Sequence, residues 1–235
     1  MKPVAIFRHS STEGPGYFAT YLEGKSLPWK LVALDGGEPV PKDVKAFSGL
    51  GFMGGPMSVN DPLPWIPKVV ELIREAVRKD VPTIGHCLGG QLMSKAFGGS
   101  VGPNPVKEIG WGEVSVEDNG VAREWFGEPQ TFLSFHWHGE TFTIPPGATR
   151  IASSTHCANQ AFAIGKHLGL QTHVEMTPEM IRTWYSSGRD EIDASPGPGV
   201  QQPEAMEAAI DERVGKLNAV AARLYDKWIE GLAKG

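Results

Sequence analysis

A short apolar run that ends on a cysteine and turns at once into a glycine-rich segment constrains this chain more than any other feature. Pro82-Thr83-Ile84-Gly85-His86-Cys87 reads as a buried strand, and Leu88-Gly89-Gly90-Gln91 through Phe97 as a helix closed by Gly98-Gly99. A strand, a sharp turn and a helix with a thiol at the corner is the geometry of a nucleophile elbow, which lifts the nucleophile above the sheet edge. Gly85, Gly89 and Gly90 suit such a turn, because a missing Cβ permits close approach of backbone or substrate. A helix N-terminus favours negative charge, so a thiol there is expected to be reactive. A buried structural cysteine beside a glycine-rich strand end fits the same local sequence. The two readings stand level on these residues alone.

The flanking chain decides the fold class. Residues 4–9 read as a first buried strand, and Tyr17, Phe18, Tyr21 and Leu22 share a helical face between Gly14 and Gly24. Residues 29–35 and 46–53 read as the next two strands. A helix over 63–79 carries Ile66, Val69, Val70, Ile73 and Val77 on one face. Strands alternating with helices imply a parallel sheet covered on both sides. After Gly99 the texture changes. Residues 106–117, 131–137, 149–154 and 161–165 read as short strands, antiparallel additions to that sheet. The chain returns to a strand at Leu168–Glu175, followed by a helix from Pro178 with Met180, Ile181 and Trp184. The expected class is α/β, a mostly parallel central sheet with helices on both faces plus antiparallel additions.

Residues 1–194 are expected to form the domain, 195–203 a Pro/Gly-rich linker (Ser195-Pro196-Gly197-Pro198-Gly199), and 204–235 an amphipathic helix. Its stripe is Met206, Ile210, Val214, Leu217, Ala221, Leu224 and Trp228. That helix would pack on the domain or on a partner. No repeat or low-complexity tract occurs. A length of 235 residues supports a full core. The net charge of −5, with no basic cluster, gives no footprint for nucleic acid. Two cysteines, Cys87 and Cys157, form no disulfide framework and suit a reducing compartment. With no signal peptide and no 18-residue apolar run, a cytoplasmic protein without membrane partners is expected.

Three further motifs need weighing. Gly49-Leu50-Gly51-Phe52-Met53-Gly54 matches G-x-G-x-x-G, but a dinucleotide site needs those glycines to open a helix, and Pro56, Pro62 and Pro64 follow instead. His136-Trp137-His138-Gly139-Glu140 places two histidines on one strand face but lacks a convincing second ligand set, so no metal is expected. His156 reads as a loop residue and Cys157 as structural. His173-x-Glu175 differs from these, because it offers an elbow thiol a base and a carboxylate to orient that base.

Read together, these motifs resemble the class I glutamine amidotransferases, which carry a Cys-His-Glu triad. The family's G-x-C-x-G-x-Q elbow stands as Gly85-His86-Cys87-Leu88-Gly89-Gly90-Gln91, its G-G-P as Gly54-Gly55-Pro56, and its Q-x-H-x-E as Gln171-Thr172-His173-Val174-Glu175. The likeness is nearest to the glutaminase domain of GMP synthase and its stand-alone relatives, and it implies a flavodoxin-like sheet. It also implies Cys87, His173 and Glu175 as the catalytic residues. The backbone N–H groups of Gly55 and Leu88 would form the oxyanion hole, and Gln91, His138 and Gly139 would lie near the substrate's α-amino and carboxylate groups. No cofactor is implied. His86 and Thr172 depart from the family's usual residues, and both are expected to alter the substrate pocket.

Two functions follow from the resemblance. One is a stand-alone hydrolase acting on glutamine or a γ-glutamyl compound through a γ-glutamyl thioester. The other is a glutaminase subunit delivering ammonia to a synthase partner such as a GMP synthase-like ATP pyrophosphatase, whose S-G-G-x-D-S motif does not occur in these residues. A regulatory domain that merely kept the fold is disfavoured by the complete triad. Oligomeric state is not legible.

Overall fold

A computed structural model of the chain describes residues 1–128 and 130–233. Nine strands form one sheet in the order β2-β1-β3-β4-β9-β8-β7-β5-β6. The parallel half comprises β1 (Val4–Arg8), β2 (Trp29–Ala33), β3 (Gly49–Phe52), β4 (Thr83–His86) and β9 (His167–Leu170). The antiparallel half comprises β8 (Ala161–Ile164), β7 (Thr149–Ser154), β5 (Val101–Val116) and β6 (Thr131–Phe142). This is the mixed sheet, flanked by helices, that the alternation predicts.

Alternation along β1 divides the core. Val4 and Ile6 join one apolar layer with α1 (Gly16–Gly24) and α8 (Ile210–Ile229). Ala5 and Phe7 join the other with α2 (Ile66–Arg78) and α3 (Leu88–Ala96). In α2 the inward face is Ile66, Val69, Val70, Leu72, Ile73 and Ala76. Val77, expected on that face, lies in the last turn of the helix and is 40% exposed. Of the glycines that imitate a dinucleotide fingerprint, Gly49 and Gly51 lie inside β3 and Gly54 follows its end. A Cβ on Gly49 would meet Leu232 and Trp228, and one on Gly51 the Phe18 ring. Their role is to let α8 and α1 approach the sheet.

The remaining helices are α4 (Gly120–Phe126), α5 (Pro178–Ser187), α6 (Arg189–Ala194) and α7 (Pro203–Glu207). The apolar stripe expected to run unbroken from Met206 to Trp228 is split. Ala209 has φ 52° and separates α7 from α8, although Met206 stays buried. α8 contacts α1, α4 and β6 of its own chain. Residues 234 and 235 of the expected terminal segment lie outside the described residues. The Pro/Gly-rich stretch is laid along β5, where Ile109 N–H donates to the Gly199 carbonyl (2.8 Å) and Gln201 N–H to the Ile109 carbonyl (2.9 Å). Among the described residues no helix is long and apolar enough to cross a membrane.

The elbow is closely packed. A Cβ on Gly85 would collide with the Gly89 backbone, one on Gly89 with the Phe52 carbonyl, and one on Gly90 with the Leu170 carbonyl. These glycines let α3 sit directly over β3, β4 and β9. Gly90→Ala is therefore expected to destabilise the fold by about 2 kcal/mol, since neither backbone can give way. A thermal melt checks this, and an unchanged Tm would contradict the close approach.

Candidate active site

Cys87 caps α3 at the end of β4 with φ 49° and ψ −107°. A non-glycine residue with positive φ here matches the strained elbow the sequence implies. Pairing of β4 with β9 brings the chain after Leu170 alongside this corner. Sequence reasoning extends that last strand to Glu175, but the ladder ends at Leu170. His173 sits on a bend held by its own N–H, which donates to the Phe135 carbonyl at 2.9 Å. There His173 lines the same cavity as Cys87. Its Nδ1 lies 2.7 Å from Glu175 Oε1, and both side chains are buried. The three residues expected to act together are thus brought together.

The charges follow from this contact. Burial alone would lower the His173 pKa, but the Glu175 carboxylate and the Cys87 sulfur outweigh it and hold the imidazole well above its ordinary value. Burial would raise Glu175, and His173 reverses that, keeping it below the ordinary carboxylate range. Trp184 of α5 stands edge-on to His173 at 4.8 Å between centroids, and its Nε1–H donates to the Thr12 carbonyl (2.8 Å), which fixes this wall.

Gly55 and Leu88 come together as well, since a Cβ on Gly55 would meet the Leu88 side chain at 2.7 Å. Among the described residues neither N–H donates to a backbone carbonyl. His9, which sequence reasoning missed, bears on this pair. Its Nδ1 lies 3.0 Å from the Met53 carbonyl and 3.3 Å from that of Gly54. Burial lowers His9 to about 4, so the ring is neutral at pH 7 with Nδ1–H donating. In a trans peptide the N–H points opposite the carbonyl. Anchoring Gly54 C=O on His9 therefore turns Gly55 N–H away from His9.

Gln91, His138 and Gly139 line the same cavity of about 460 Å³ as Cys87 and His173. Gln91 Nε2 donates to the Glu140 carbonyl (3.3 Å) and to Gln171 Oε1 (3.2 Å), while Gln171 Nε2 donates to Cys87 Sγ at 3.6 Å. The motif glutamines thus form a chain to the thiol. Both His138 nitrogens face oxygen acceptors, Nδ1 the Glu140 carbonyl and Nε2 a Glu108 carboxylate oxygen, each at 2.9 Å.

Glu108 corrects the expectation that the histidine pair lacks a further ligand. Ligand atoms of Glu108, His136 and His138 lie within 4.8 Å of one another. The carboxylate is already satisfied, however, by Ser154 on Oε1 (3.0 Å) and by Gln160 (2.8 Å) and His138 on Oε2. These donors occupy the lone pairs a cation would need, so the cluster is a buried hydrogen-bonded network. Burial would raise Glu108, but the His138 hydrogen bond and the neighbouring His136 keep it below the ordinary carboxylate range. A depressed carboxylate contributes stability above its unfolded pKa and loses it as pH falls through the folded one. Glu108→Gln should therefore cost about 3 kcal/mol at pH 7. In chemical denaturation that gap should close as the pH drops below the Glu range, where the wild type is protonated too. A pH-independent gap would contradict an ionised Glu108.

The two departures from the family pattern do not reach the cavity. His86 is buried behind the elbow, with Nε2 3.0 Å from Tyr225 Oη of α8. Thr172 donates to the Phe135 carbonyl under β6. The expectation that they reshape the pocket is replaced by one residue the sequence did not single out, Glu13, which lines the cavity beside His173. Cys157 is buried beside Thr141 (3.2 Å), away from this site.

Residues 27–187 match the profile described as glutamine amidotransferase class-I. The chain belongs to the class I glutamine amidotransferase family. It is similar over its whole length to the crystal structure of a glutamine amido transferase from Methylobacillus flagellatus, at 43% identity, TM-score 0.97 and 97% coverage of that chain. It is 28% identical to gamma-glutamyl peptidase 3 of Arabidopsis thaliana, over 71% of each sequence. To the glutamine-hydrolyzing GMP synthase of Aeropyrum pernix it is 31% identical, over 79% of this chain and 35% of that protein.

Proposed function

We propose that this class I glutamine amidotransferase is a stand-alone hydrolase that cleaves the γ-amide bond of glutamine or of a γ-glutamyl compound, without ATP. The observation that carries the reading is the pair Cys87 and His173 on the wall of a cavity of about 460 Å³, with Glu175 buried against His173. That volume falls within the range of pockets for drug-sized ligands. It therefore leaves room for a leaving group larger than ammonia. The likeness to a gamma-glutamyl peptidase supports the same reading.

In the proposed reaction Cys87 Sγ attacks the γ-carbonyl carbon, and the N–H groups of Gly55 and Leu88 stabilise the oxyanion. The C–N bond breaks as the departing nitrogen takes the proton held on His173, leaving a γ-glutamyl thioester. Water then attacks the thioester, giving its proton to His173. The C–S bond breaks and releases glutamate, regenerating the thiol and imidazole. Glu175 orients the ring throughout. Gln91, His138 and Gly139 bind the glutamyl end. A cytoplasmic location suits the free thiol.

The likeness to GMP synthase supports a second reading, a subunit that supplies ammonia to a synthase partner. A steady-state assay of pure protein on glutamine and several γ-glutamyl dipeptides separates the two. The hydrolase reading expects at least one peptide to turn over unaided. Inert peptides, with glutamine cleaved only after a synthase and its nucleotide are added, would establish the subunit.

A further inference from the structure

We propose that Glu13 recognises the leaving group, and that the preferred substrates are γ-glutamyl amides of amines carrying a second positive charge. This rests on the hydrolase reading. His173 must hand its proton to the departing nitrogen, so the leaving group lies against that imidazole. Glu13 borders the same place. A Cβ on Gly54 would collide with Glu13 Oε2 while lying 3.1 Å from His173 Cε1, so the two side chains converge on one glycine. With Thr12 and Trp184, Glu13 lines the cavity on the His173 side. Gln91, His138 and Glu140 are grouped together around the Glu140 carbonyl instead.

The charges of the cavity wall point the same way. Lys107 is engaged by Glu191 at 2.8 Å, and Glu191 also accepts from Trp137 Nε1 at 2.9 Å. His173 is balanced by Glu175, and His138 Nε2 lies 2.9 Å from a Glu108 carboxylate oxygen. Among the described residues the Glu13 and Glu140 carboxyls have no side-chain hydrogen-bond or ion-pair partner, although both line the cavity. An uncompensated carboxyl beside the leaving group repels the α-carboxylate of a departing amino acid and attracts an ammonium. Burial raises Glu13 to about 7 despite the His173 charge, a cost that a bound cation offsets.

The test compares γ-glutamyl amides of matched length whose leaving amines end in an ammonium, a methyl or a carboxylate. For the wild type, kcat/KM should fall in that order, with about ten- to a hundredfold between the first two, the worth of a charge-assisted hydrogen bond. In Glu13→Gln the ammonium and methyl substrates should become equal within about threefold, whereas Glu13→Asp should keep the preference. A role confined to tuning His173 would lower all three alike and leave their ratios intact, which overturns the proposal. So does an order that is indifferent to charge or favours the carboxylate. Failure of every γ-glutamyl amide and peptide to turn over, with either variant or the wild type, would instead defeat the hydrolase reading and this proposal with it.

Discussion

Cys87→Ala is expected to remove γ-glutamyl hydrolysis by a factor on the order of a million, the scale on which a nucleophile is lost from a comparable triad. The fold should survive. Cys87 already holds φ 49°, so alanine meets the same backbone cost and fills a smaller volume. Cys87→Gly should lose as much activity but gain about 1 kcal/mol over alanine, because glycine relieves the positive φ. A glutamine-like alkylating analogue should label Cys87 and spare Cys157, which lies buried with its thiol pushed up by desolvation. Activity in Cys87→Ala near that of the wild type would remove the thiol from the reaction.

The second large effect concerns the pair at 2.7 Å. His173→Ala should cost nearly as much as loss of the thiol, since it removes the group proposed to hand a proton to the leaving nitrogen. Glu175→Gln should cost less, on the order of ten-thousandfold, because the amide keeps the geometry but no longer stabilises the charged ring. It should also bring the imidazole back toward its ordinary range, since the carboxylate is what outweighs burial. Histidine NMR titration of the two proteins reads this directly. An unmoved His173 resonance in Glu175→Gln would contradict the proposed coupling. Full activity in His173→Ala would pass the base role to another histidine, with His138 the first to examine.

What the sequence made legible was local. Glycines at 85, 89 and 90 announce a close approach because no other residue tolerates it, and the strand, corner and helix follow one another without a break. The inward rows of α2 and α8 show as spacing for the same reason. Residues whose meaning depends on strand order stayed silent. Glu108 meets His138 across the β5–β6 ladder, and Tyr225 meets His86 only because α8 lies under β4. Glu13 sits in a loop after β1 with no periodicity to mark it, and His9 looks like any strand-end histidine until the carbonyls of Met53 and Gly54, just after β3, arrive beside it. The short helix α4 was missed although Asn119 caps it, accepting from Ala122 N–H at 2.9 Å, because seven residues leave too little pattern to read.

In the proposed reaction Cys87 carries a γ-glutamyl thioester. Pure protein mixed with glutamine or a γ-glutamyl amide, quenched in acid within the first turnovers and digested, should yield a γ-glutamyl adduct on the peptide containing Cys87, found by mass spectrometry. The adduct should vanish in Cys87→Ala and accumulate where deacylation is slowed. Turnover of substrate with no adduct at Cys87, or an adduct on Cys157 instead, would contradict the account.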